Sequence, residues 1–424
     1  MRLRLAYGRE SLEVHLPDDA DVTVIEPRFV PGLPDENAAL YEALRAPIDA
    51  PPLREIAGPE DTVAIVFSDI TRPTPNDRIL PPLLAELNAA GVPDAQITLI
   101  NALGTHRPQT QDELVEMLGA DVVRRYRIVQ HDAWDDAALI EIGRNRAGNP
   151  VRVNRAYVDA SVRVLTGFIE PHFFAGFSGG PKAVLPGIAD IGAILDNHNA
   201  AMIGDPNSTW AITKGNPLWE EILEMVQRTS PDFLLNVTLN AKHEITGVFA
   251  GDLAGAHRTG TDFVRETAMQ PVPAPFDVVI ASNSGYPLDL NLYQAVKGMS
   301  AAAQIVRPGG DIIVAAECWD GLPDHGEYAR LLREADSPEA LLAIITAPGF
   351  RCQDQWEAQI QAQILQKARV HVYADGLTDA ELREAMVVPC ESIEATIAQI
   401  REATPDATIA VLPEGPQTVP YLEA

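Results

Sequence analysis

The chain has 424 residues, and its 60 acidic side chains against 32 Lys and Arg give a formal net charge of −28. A surface this acidic excludes nucleic acid and anionic membranes as partners, because both are bound through clustered cations. Hydrophobic residues make up 46% of the chain, which is typical of a globular protein, and the length predicts two or three domains. The three cysteines lie outside any C-x-x-C motif and the first residues lack an apolar signal segment, so we expect a reduced, cytoplasmic protein.

Alternating and then continuous apolar segments predict the strands in the first part of the chain. Over the first thirty residues apolar and polar side chains alternate, which is typical of half-buried strands. Continuous apolar segments rich in β-branched residues follow at 62–67, 96–100 and 162–166, with helical patterns between them. Buried strands that alternate with helices predict an α/β fold with mostly parallel sheets.

Two helices and a hairpin are predicted from their first residues. Thr74 precedes Pro75, which predicts an N-cap at Thr74 and a helix that begins at the proline. Asn216 before Pro217 predicts the start of a second helix in the same way. The segment 233–251 has the pattern of a β-hairpin.

A proline-rich segment at 271–275 predicts a linker between two α/β domains, 1–270 and 276–424. After it the alternation of strands and helices restarts. The predicted elements are strands at 276–280, 311–314, 370–373 and 407–411, and a helix at 353–367. We expect the active site in the cleft between the two domains.

Polar side chains follow the ends of three predicted parallel strands, where open α/β sheets bind their ligands. Asp69 and Arg72 follow the first of these strands, His106 the second, and His172 with Lys182 the third. We therefore expect these side chains to meet at one edge of the sheet. Simpler interpretations stay open for the separate pieces: a loop salt bridge between Asp69 and Arg72, and a structural or exposed position for each histidine.

The segment from Gly176 to Lys182 is rich in glycine, which lets backbone amides approach a ligand closely. It is not an ATP-binding P-loop. Pro181 stands where the second glycine belongs, and Ala183 replaces the Ser or Thr that would hold magnesium. No G-x-G-x-x-G dinucleotide motif follows the predicted strands either, so the segment predicts a ligand other than ATP or NAD in its usual site.

In the second half of the chain, Tyr293 and Lys297 are four residues apart near the start of a predicted helix, and so share a face. A phenol, an ammonium group and the positive end of a helix suit a carboxylate ligand. A surface lysine beside a half-buried tyrosine is the alternative. Trp356 has helical spacing with Ile360 and Ile364, and we assign it mostly to the core.

Together these motifs resemble the nickel-pincer lactate racemase family. The resemblance rests on Asp69-Ile70-Thr71-Arg72, Gly104-Thr105-His106, the segment from Glu170 to Lys182, His198, and Tyr293-Gln294 with Lys297-Gly298. It implies a cofactor made of nickel and a pyridinium mononucleotide, a nickel-pincer nucleotide whose two sulfur-containing arms hold the metal. Lys182 would be its covalent attachment point and His198 the protein ligand of nickel. Its ribose and phosphate would be held by Asp69, Ile70, Thr71 and Arg72.

The resemblance also implies an isomerase that racemises a 2-hydroxy acid. His106 and His172 would be the paired acid/bases. The substrate carboxylate would be bound by Arg72, Tyr293, Gln294 and Lys297. Two histidines agree with racemisation on chemical grounds, because each enantiomer needs its own base with a pKa near neutrality. Hydride transfer from Cα to the pyridinium ring and back would invert the centre through a 2-keto acid, while the protein orients the substrate and moves protons.

The implied partners are a small anionic 2-hydroxy acid and the enzymes that make the cofactor. The first domain would carry the cofactor and the catalytic histidines, and the second would contribute to carboxylate binding. Which 2-hydroxy acid is used stays open, and Arg107 would either pair with a second carboxylate or lie solvated in its loop. Two other functions also stay open: a zinc- or magnesium-dependent hydrolase or lyase that uses His106, His172 and His198, and a non-catalytic nickel- or nucleotide-binding protein.

Overall fold

Two six-stranded sheets organise the computed structural model, which describes residues 1–323 and 326–423. The strands are β1 Arg2–Tyr7, β2 Glu10–His15, β3 Asp21–Val24, β4 Val63–Ser68, β5 Ile97–Ala102, β6 Arg127–Gln130, β7 Leu139–Arg144, β8 Pro150–Asn154, β9 Val162–Phe168, β10 Pro171–His172, β11 Gly176–Phe177, β12 Phe233–Leu239, β13 Ile245–Gly251, β14 Met269–Val272, β15 Phe276–Ser282, β16 Val306–Ala315, β17 Arg369–Tyr373, β18 Val388–Pro389, β19 Thr408–Leu412 and β20 Val419–Leu422.

Helices cover both sheets. They are α1 Glu36–Arg45, α2 Leu53–Ile56, α3 Asn76–Ala89, α4 Gln111–Leu118, α5 Ala120–Arg125, α6 Arg155–Val158, α7 Ile191–Asn197, α8 Ala200–Ile203, α9 Pro217–Gln227, α10 Leu253–Ala268, α11 Leu292–Ala303, α12 Tyr328–Arg333, α13 Pro338–Ile345, α14 Gln355–Lys367, α15 Asp379–Glu384 and α16 Ile393–Ala403. Short 3-10 helices lie at Asp94–Gln96, Asp136–Ala138, Gly180–Ala183 and Gly415–Gln417. None of the described helices is long and apolar enough to cross a lipid bilayer.

The first sheet has the strand order β13-β12-β9-β4-β5-β6. Its strands are parallel except for the β12–β13 hairpin, which the sequence predicts at 233–251. The three apolar segments used for the strand predictions become β4, β5 and β9, and their side chains are almost all buried. The carboxyl ends of these three neighbouring strands therefore meet at one edge of the sheet, as predicted.

The second sheet has the order β18-β17-β16-β15-β19-β3 and is parallel throughout. Its edge strand β3 comes from the start of the chain, and the β1–β2 hairpin packs Leu5 and Val14 into one core with Val278 and Ile280. The N-terminal residues thus lie with the second sheet. The mostly parallel α/β fold is confirmed, while the division into 1–270 and 276–424 stays a prediction.

The linker predicted at 271–275 is partly a strand. Residues Met269–Val272 form β14, which pairs in parallel with β20. Proline has no backbone N–H to donate to a neighbouring strand. Pro271 is tolerated here because β14 and β20 form a two-stranded sheet, in which each strand is hydrogen-bonded to a neighbour on one side only.

The two predicted helix starts have different outcomes. Asn216 caps α9 as expected: its side-chain oxygen accepts from the backbone N–H groups of Leu218 and Trp219 at 3.1 and 3.2 Å. The predicted cap at Thr74 is wrong. Pro75 is the N-cap of α3, and the buried Thr74 hydroxyl has no hydrogen-bond partner among the described residues.

Replacing Asn216 by Ala should lower the free energy of unfolding by about 1–3 kcal/mol, because the cap and further buried hydrogen bonds are lost together. The Asn216 amide also donates to the backbone oxygens of Phe174 and Ile212 at 2.8 and 3.0 Å. The matched control Ser392→Ala removes the N-cap of α16 at the surface and should cost about 1 kcal/mol or less. Urea unfolding followed by circular dichroism measures both; a loss for Asn216→Ala no larger than that of the control would contradict this prediction.

Candidate active site

A cavity of about 960 Å³ lies between the carboxyl ends of β4, β5 and β9 and the helices α11 and α14 of the second half of the chain. The predicted site residues that line it are Asp69, Arg72, His106, His172, Lys182, His198, Tyr293, Gln294 and Lys297. Ile70 and Thr71 instead line a neighbouring cavity of about 520 Å³, which Asp69 and His106 also border. The predicted residues thus surround two adjoining spaces between the halves of the chain.

Asp69 and His106 form a hydrogen-bonded pair across two strand ends. The Oδ2 atom of Asp69 lies 2.7 Å from Nδ1 of His106, and the Thr71 hydroxyl donates to Oδ1 at 2.8 Å. Burial opposes the ionised form of Asp69, but His106, Arg72 and Thr71 outweigh it and hold the pKa of this carboxyl below its usual value. An ionised Asp69 fixes the orientation of the imidazole and leaves Nε2 as the ring atom free of this contact.

Arg72 contacts a different carboxylate. Its Nε lies 4.0 Å from Oε1 of Glu170, and its guanidinium donates to the backbone oxygen and hydroxyl of Thr71 at 3.2 and 3.1 Å. The loop salt bridge between Asp69 and Arg72, which the sequence left open, is not among the ion pairs of the described residues. Arg72 is therefore a partly compensated cation at the wall of the cavity.

His172 and Lys182 are in direct contact. Nζ of Lys182 lies 3.1 Å from Nε2 of His172, while Nδ1 of the same ring faces the backbone N–H groups of Ala175 and Phe174 at 3.3 and 3.5 Å. Because Nδ1 accepts, the ring proton belongs on Nε2, which then donates to the lysine amine. Burial, and after it the neighbouring cations, lowers the pKa of both side chains well below their usual values. Burial thus favours the uncharged form of each side chain.

His198 follows α7 at the inner wall of the cavity. Its ring is held edge-on by Phe174 and Trp356, with ring centroids 5.3 and 5.1 Å away. Burial, and after it any positive charge on the nearby Lys182, lowers the pKa of His198 to about 3, so the imidazole is neutral. Its buried Nδ1 has no hydrogen-bond partner in the described parts of the chain. A neutral imidazole with an unsatisfied nitrogen is the form in which histidine binds a metal.

The glycine-rich segment is held from behind by two polar side chains. Gly180 has φ +54°, and its N–H donates to Oδ1 of Asn236 at 2.8 Å. Nε2 of His257 lies 2.9 Å from the backbone oxygen of Ser178. A Cβ atom at Gly180 would lie 2.4 Å from the His257 ring, so this position needs glycine. The segment is thus a rigid turn that presents Lys182 to the cavity.

The helix α11 supplies the opposite wall. Asn291 caps it, and Tyr293 and Lys297 share the face that lines the cavity, as their spacing predicts. The Tyr293 hydroxyl accepts from Nε1 of Trp356 at 2.8 Å. Burial raises the pKa of Tyr293 well above its usual value, so its proton stays available for donation. Nζ of Lys297 and Oε1 of Gln294 are buried and have no partner among the residues described.

Three residues differ from their sequence-based assignments or were missed. Trp356 was assigned mostly to the core, yet it lines the cavity between Tyr293 and His198. Glu357, the next residue on α14, also lines the cavity and was not identified, because a single polar residue within a helix is usual. His257 belongs to no sequence motif, and only the fold places it against the glycine-rich segment.

Arg107 lies outside the main cavity and borders the smaller one. Its guanidinium donates to both carboxylate oxygens of Glu113, at 3.0 and 2.7 Å. This pairing engages the positive charge that a second substrate carboxylate would need. Among residues 1–323 and 326–423, no three or more His, Cys, Asp and Glu side chains are grouped so that they could hold a metal ion between them.

His257→Gln should make the protein less sensitive to acid. Burial lowers the pKa of His257 to about 4, whereas an unfolded histidine titrates near 6.5. The unfolded state therefore binds more protons in this window, so stability is complete above about pH 6.5 and is lost as the pH falls toward 4, by up to about 1.4 kcal/mol per pH unit.

Glutamine keeps a donor for the Ser178 oxygen but takes no proton, so urea unfolding between pH 7 and 4.5 should show a shallower loss of stability. The control His15→Gln changes an exposed histidine and should retain the wild-type slope. An unchanged slope for His257→Gln would contradict the assignment of a buried neutral imidazole.

Comparison with known proteins finds two family models in this chain. Residues 7–211 match the lactate racemase N-terminal domain, and residues 272–419 match the lactate racemase C-terminal domain. The matches together span well over half of the chain, and each contributes one wall of the cavity.

Two curated relatives, both named lactate racemase, match over nearly the full length. The protein from Lactiplantibacillus plantarum is 36% identical over 420 residues, which cover 97% of each chain. The protein from Thermoanaerobacterium thermosaccharolyticum is 34% identical over 420 residues, again 97% of each.

Solved structures agree with the sequence comparison. The lactate racemase apoprotein from Thermoanaerobacterium thermosaccharolyticum superposes with a TM-score of 0.91 at 33% identity, covering 99% of this chain and 100% of that one. A protein from Thermotoga maritima superposes with a TM-score of 0.73 at 20% identity, covering 93% of this chain and 100% of that one, and shows the fold alone.

Proposed function

This chain is an isomerase of the lactate racemase family, and we propose that it interconverts the enantiomers of lactate or of a similarly short 2-hydroxy acid. The main observation that supports the proposal is the pair of histidines, His106 and His172, which line one cavity from two different strand ends. Racemisation needs a base for each enantiomer, and two imidazoles on separate loops supply them.

Each histidine is oriented for proton transfer by its own surroundings. Asp69 binds Nδ1 of His106, and the backbone after His172 binds Nδ1 of that ring. Both rings thus have Nε2 as the atom that would exchange a proton with the 2-hydroxyl oxygen. With Nδ1 bound to Asp69, the His106 ring has Nε2 free and would accept the hydroxyl proton of one enantiomer, while the neutral His172 ring carries its proton on Nε2 and would donate it to the oxygen of the other.

The wall formed by α11 is suited to the substrate carboxylate. Lys297 provides an ammonium group without a hydrogen-bond partner in the described structure, and Tyr293 provides a hydroxyl proton. Gln294 adds an amide beside them, and Arg72 adds a second cation from the opposite loop. With its carboxylate bound here, the substrate Cα would face the wall of the first sheet that carries the two histidines.

The residues present fit the nickel-pincer nucleotide that the family resemblance implies. When bound, this cofactor would supply the acceptor and donor for the hydride of Cα. His198 would hold the nickel through its unsatisfied ring nitrogen. Lys182 would be its attachment point, and the burial of its amine favours the uncharged, nucleophilic form that covalent attachment requires. Asp69, Ile70, Thr71 and Arg72 remain proposed as the loop that holds the nucleotide.

Loading of the cofactor is tested on protein that is produced in cells together with the cofactor-making enzymes. Wild-type protein should carry a mass adduct localised by peptide mass spectrometry to Lys182, with about one nickel per chain, and Lys182→Ala should carry no adduct. The control Lys214→Ala changes an exposed lysine and should load normally. Racemisation that survives in Lys182→Ala without an adduct would exclude this attachment.

The histidine roles are tested with single enantiomers of a panel of 2-hydroxy acids, with chiral chromatography as the readout. His106→Ala and His172→Ala should each lower kcat by about 10²–10⁴-fold, because each removes a general acid/base. The control His15→Ala should keep wild-type kcat. Wild-type holoenzyme that racemises no acid of the panel would refute the proposed function, and full activity in either cavity variant would refute the role of that histidine.

A further inference from the structure

Glu357 is a buried acidic residue in the cavity whose role the preceding sections leave unexplained. It lies on α14 next to Trp356, is 2% exposed, and lines the same space as Lys297 and Gln294. Its Oε1 atom has no hydrogen-bond partner within residues 1–323 and 326–423. A buried carboxyl oxygen without a partner is costly unless a ligand completes its hydrogen bonding. Glu357, Lys297 and Gln294 thus present three unsatisfied polar atoms to one cavity.

The surroundings of Glu357 decide its protonation state. Burial raises the pKa of the Glu357 carboxyl well above its usual range, and Lys297 opposes this increase only in part. The other ionisable groups around this carboxyl are Arg72, Lys182, Tyr293, Tyr328 and Asp354. The carboxyl group is therefore neutral near pH 7 and carries a proton that it can donate.

A neutral carboxyl is also the form that an anionic ligand requires. An ionised Glu357 beside a bound carboxylate would place two like charges in a water-poor cavity, where their repulsion is strong. A protonated Glu357 removes that repulsion and adds a donor. Burial can keep a carboxylic acid neutral so that it donates a hydrogen bond to an anion.

Building on the proposed function, we propose that Glu357 binds the substrate directly, its protonated carboxyl donating a hydrogen bond to the substrate carboxylate beside Lys297. Substrate binding is then linked to the proton on Glu357. At a pH where part of the free enzyme has Glu357 ionised, the complex takes up a proton from solution. Glu357 thus helps the site to bind an anionic substrate without adding a positive charge to the cavity.

The kinetic test compares wild-type holoenzyme with Glu357→Gln, Glu357→Leu and the control Glu402→Gln, which changes an exposed carboxylate. At pH 7, Glu357→Gln should keep KM for lactate within about threefold, because an amide N–H replaces the carboxyl proton. Glu357→Leu should raise KM about tenfold and change kcat less, because a binding contact is lost. Above pH 8, KM should rise more steeply in the wild type than in Glu357→Gln, because the amide at position 357 cannot ionise.

Proton uptake gives a readout that a purely structural role would not change. Calorimetric titration with lactate at pH 8.5, in two buffers of different ionisation enthalpy, should show more protons bound per substrate in the wild type than in Glu357→Gln. The control Glu402→Gln should match the wild type. Thermal melting checks that each variant is folded. If Glu357→Leu is unfolded, the proposal is judged from the proton uptake and the pH dependence of KM in Glu357→Gln alone.

Equal proton uptake and equal pH dependence of KM in wild type and Glu357→Gln would overturn the proposal. A tenfold higher KM at pH 7 in Glu357→Gln would also overturn it, because the ionised carboxylate would then be the required form. Either result in a wild-type enzyme that racemises lactate leaves the proposed function intact. A wild-type holoenzyme that racemises no 2-hydroxy acid refutes the proposed function, and this inference with it.

Discussion

Removal of water from the cavity is the constraint on which the rest of the site depends. Burial is the largest influence on the pKa values of Lys182, His172 and His198, and in each case it favours the uncharged form. An exposed lysine is protonated and is therefore neither a nucleophile nor a hydrogen-bond acceptor. Burial by the surrounding protein thus favours, in all three side chains, the uncharged form that the proposed roles require.

Exclusion of water requires both halves of the chain, and α14 joins them around the cavity. Glutamine side chains on or just before this helix donate to backbone oxygens of the first half: Gln353 to Thr105 at 3.4 Å, Gln355 to His198 at 3.4 Å and Gln359 to Ala200 at 3.0 Å. Trp356 packs against the His198 ring between these contacts. One helix thus closes the cavity, positions the His198 backbone and presents Glu357 to the same space.

The sequence predicts the part of the fold and site that depends on local pattern. Buried strands are readable from continuous apolar segments, and the rule for strand ends then places His106 and His172 at one edge. The prediction at Thr74 fails because Pro75 has a non-helical backbone, with φ −79° and ψ 65°, so the helix begins one residue later and Pro75 takes the N-cap position. Local pattern also misassigns Trp356, since a tryptophan at helical spacing has the same signature in a core and in a cavity wall.

Residues that act through distant parts of the chain are not predictable in this way. His257 contacts a segment 79 positions earlier, and Glu357 shares its cavity with residues from both halves of the chain. Neither belongs to a motif with characteristic spacing. The surroundings of His257 exist only once the first half of the chain has folded, and those of Glu357 only once both sheets have formed. Burial identifies both residues, and for Glu357 the missing hydrogen-bond partner does so as well.

The placement of β3 at the edge of the second sheet has a mechanical consequence. The chain starts in the second sheet, crosses to the first after β3, and returns through α10 and β14, so two covalent crossings join the halves. One crossing would let the halves rotate freely about each other, whereas two define a hinge axis and restrict them to opening and closing around it. Entry to the cavity then requires separation along one direction, and the α14 glutamine contacts lie where that separation would begin.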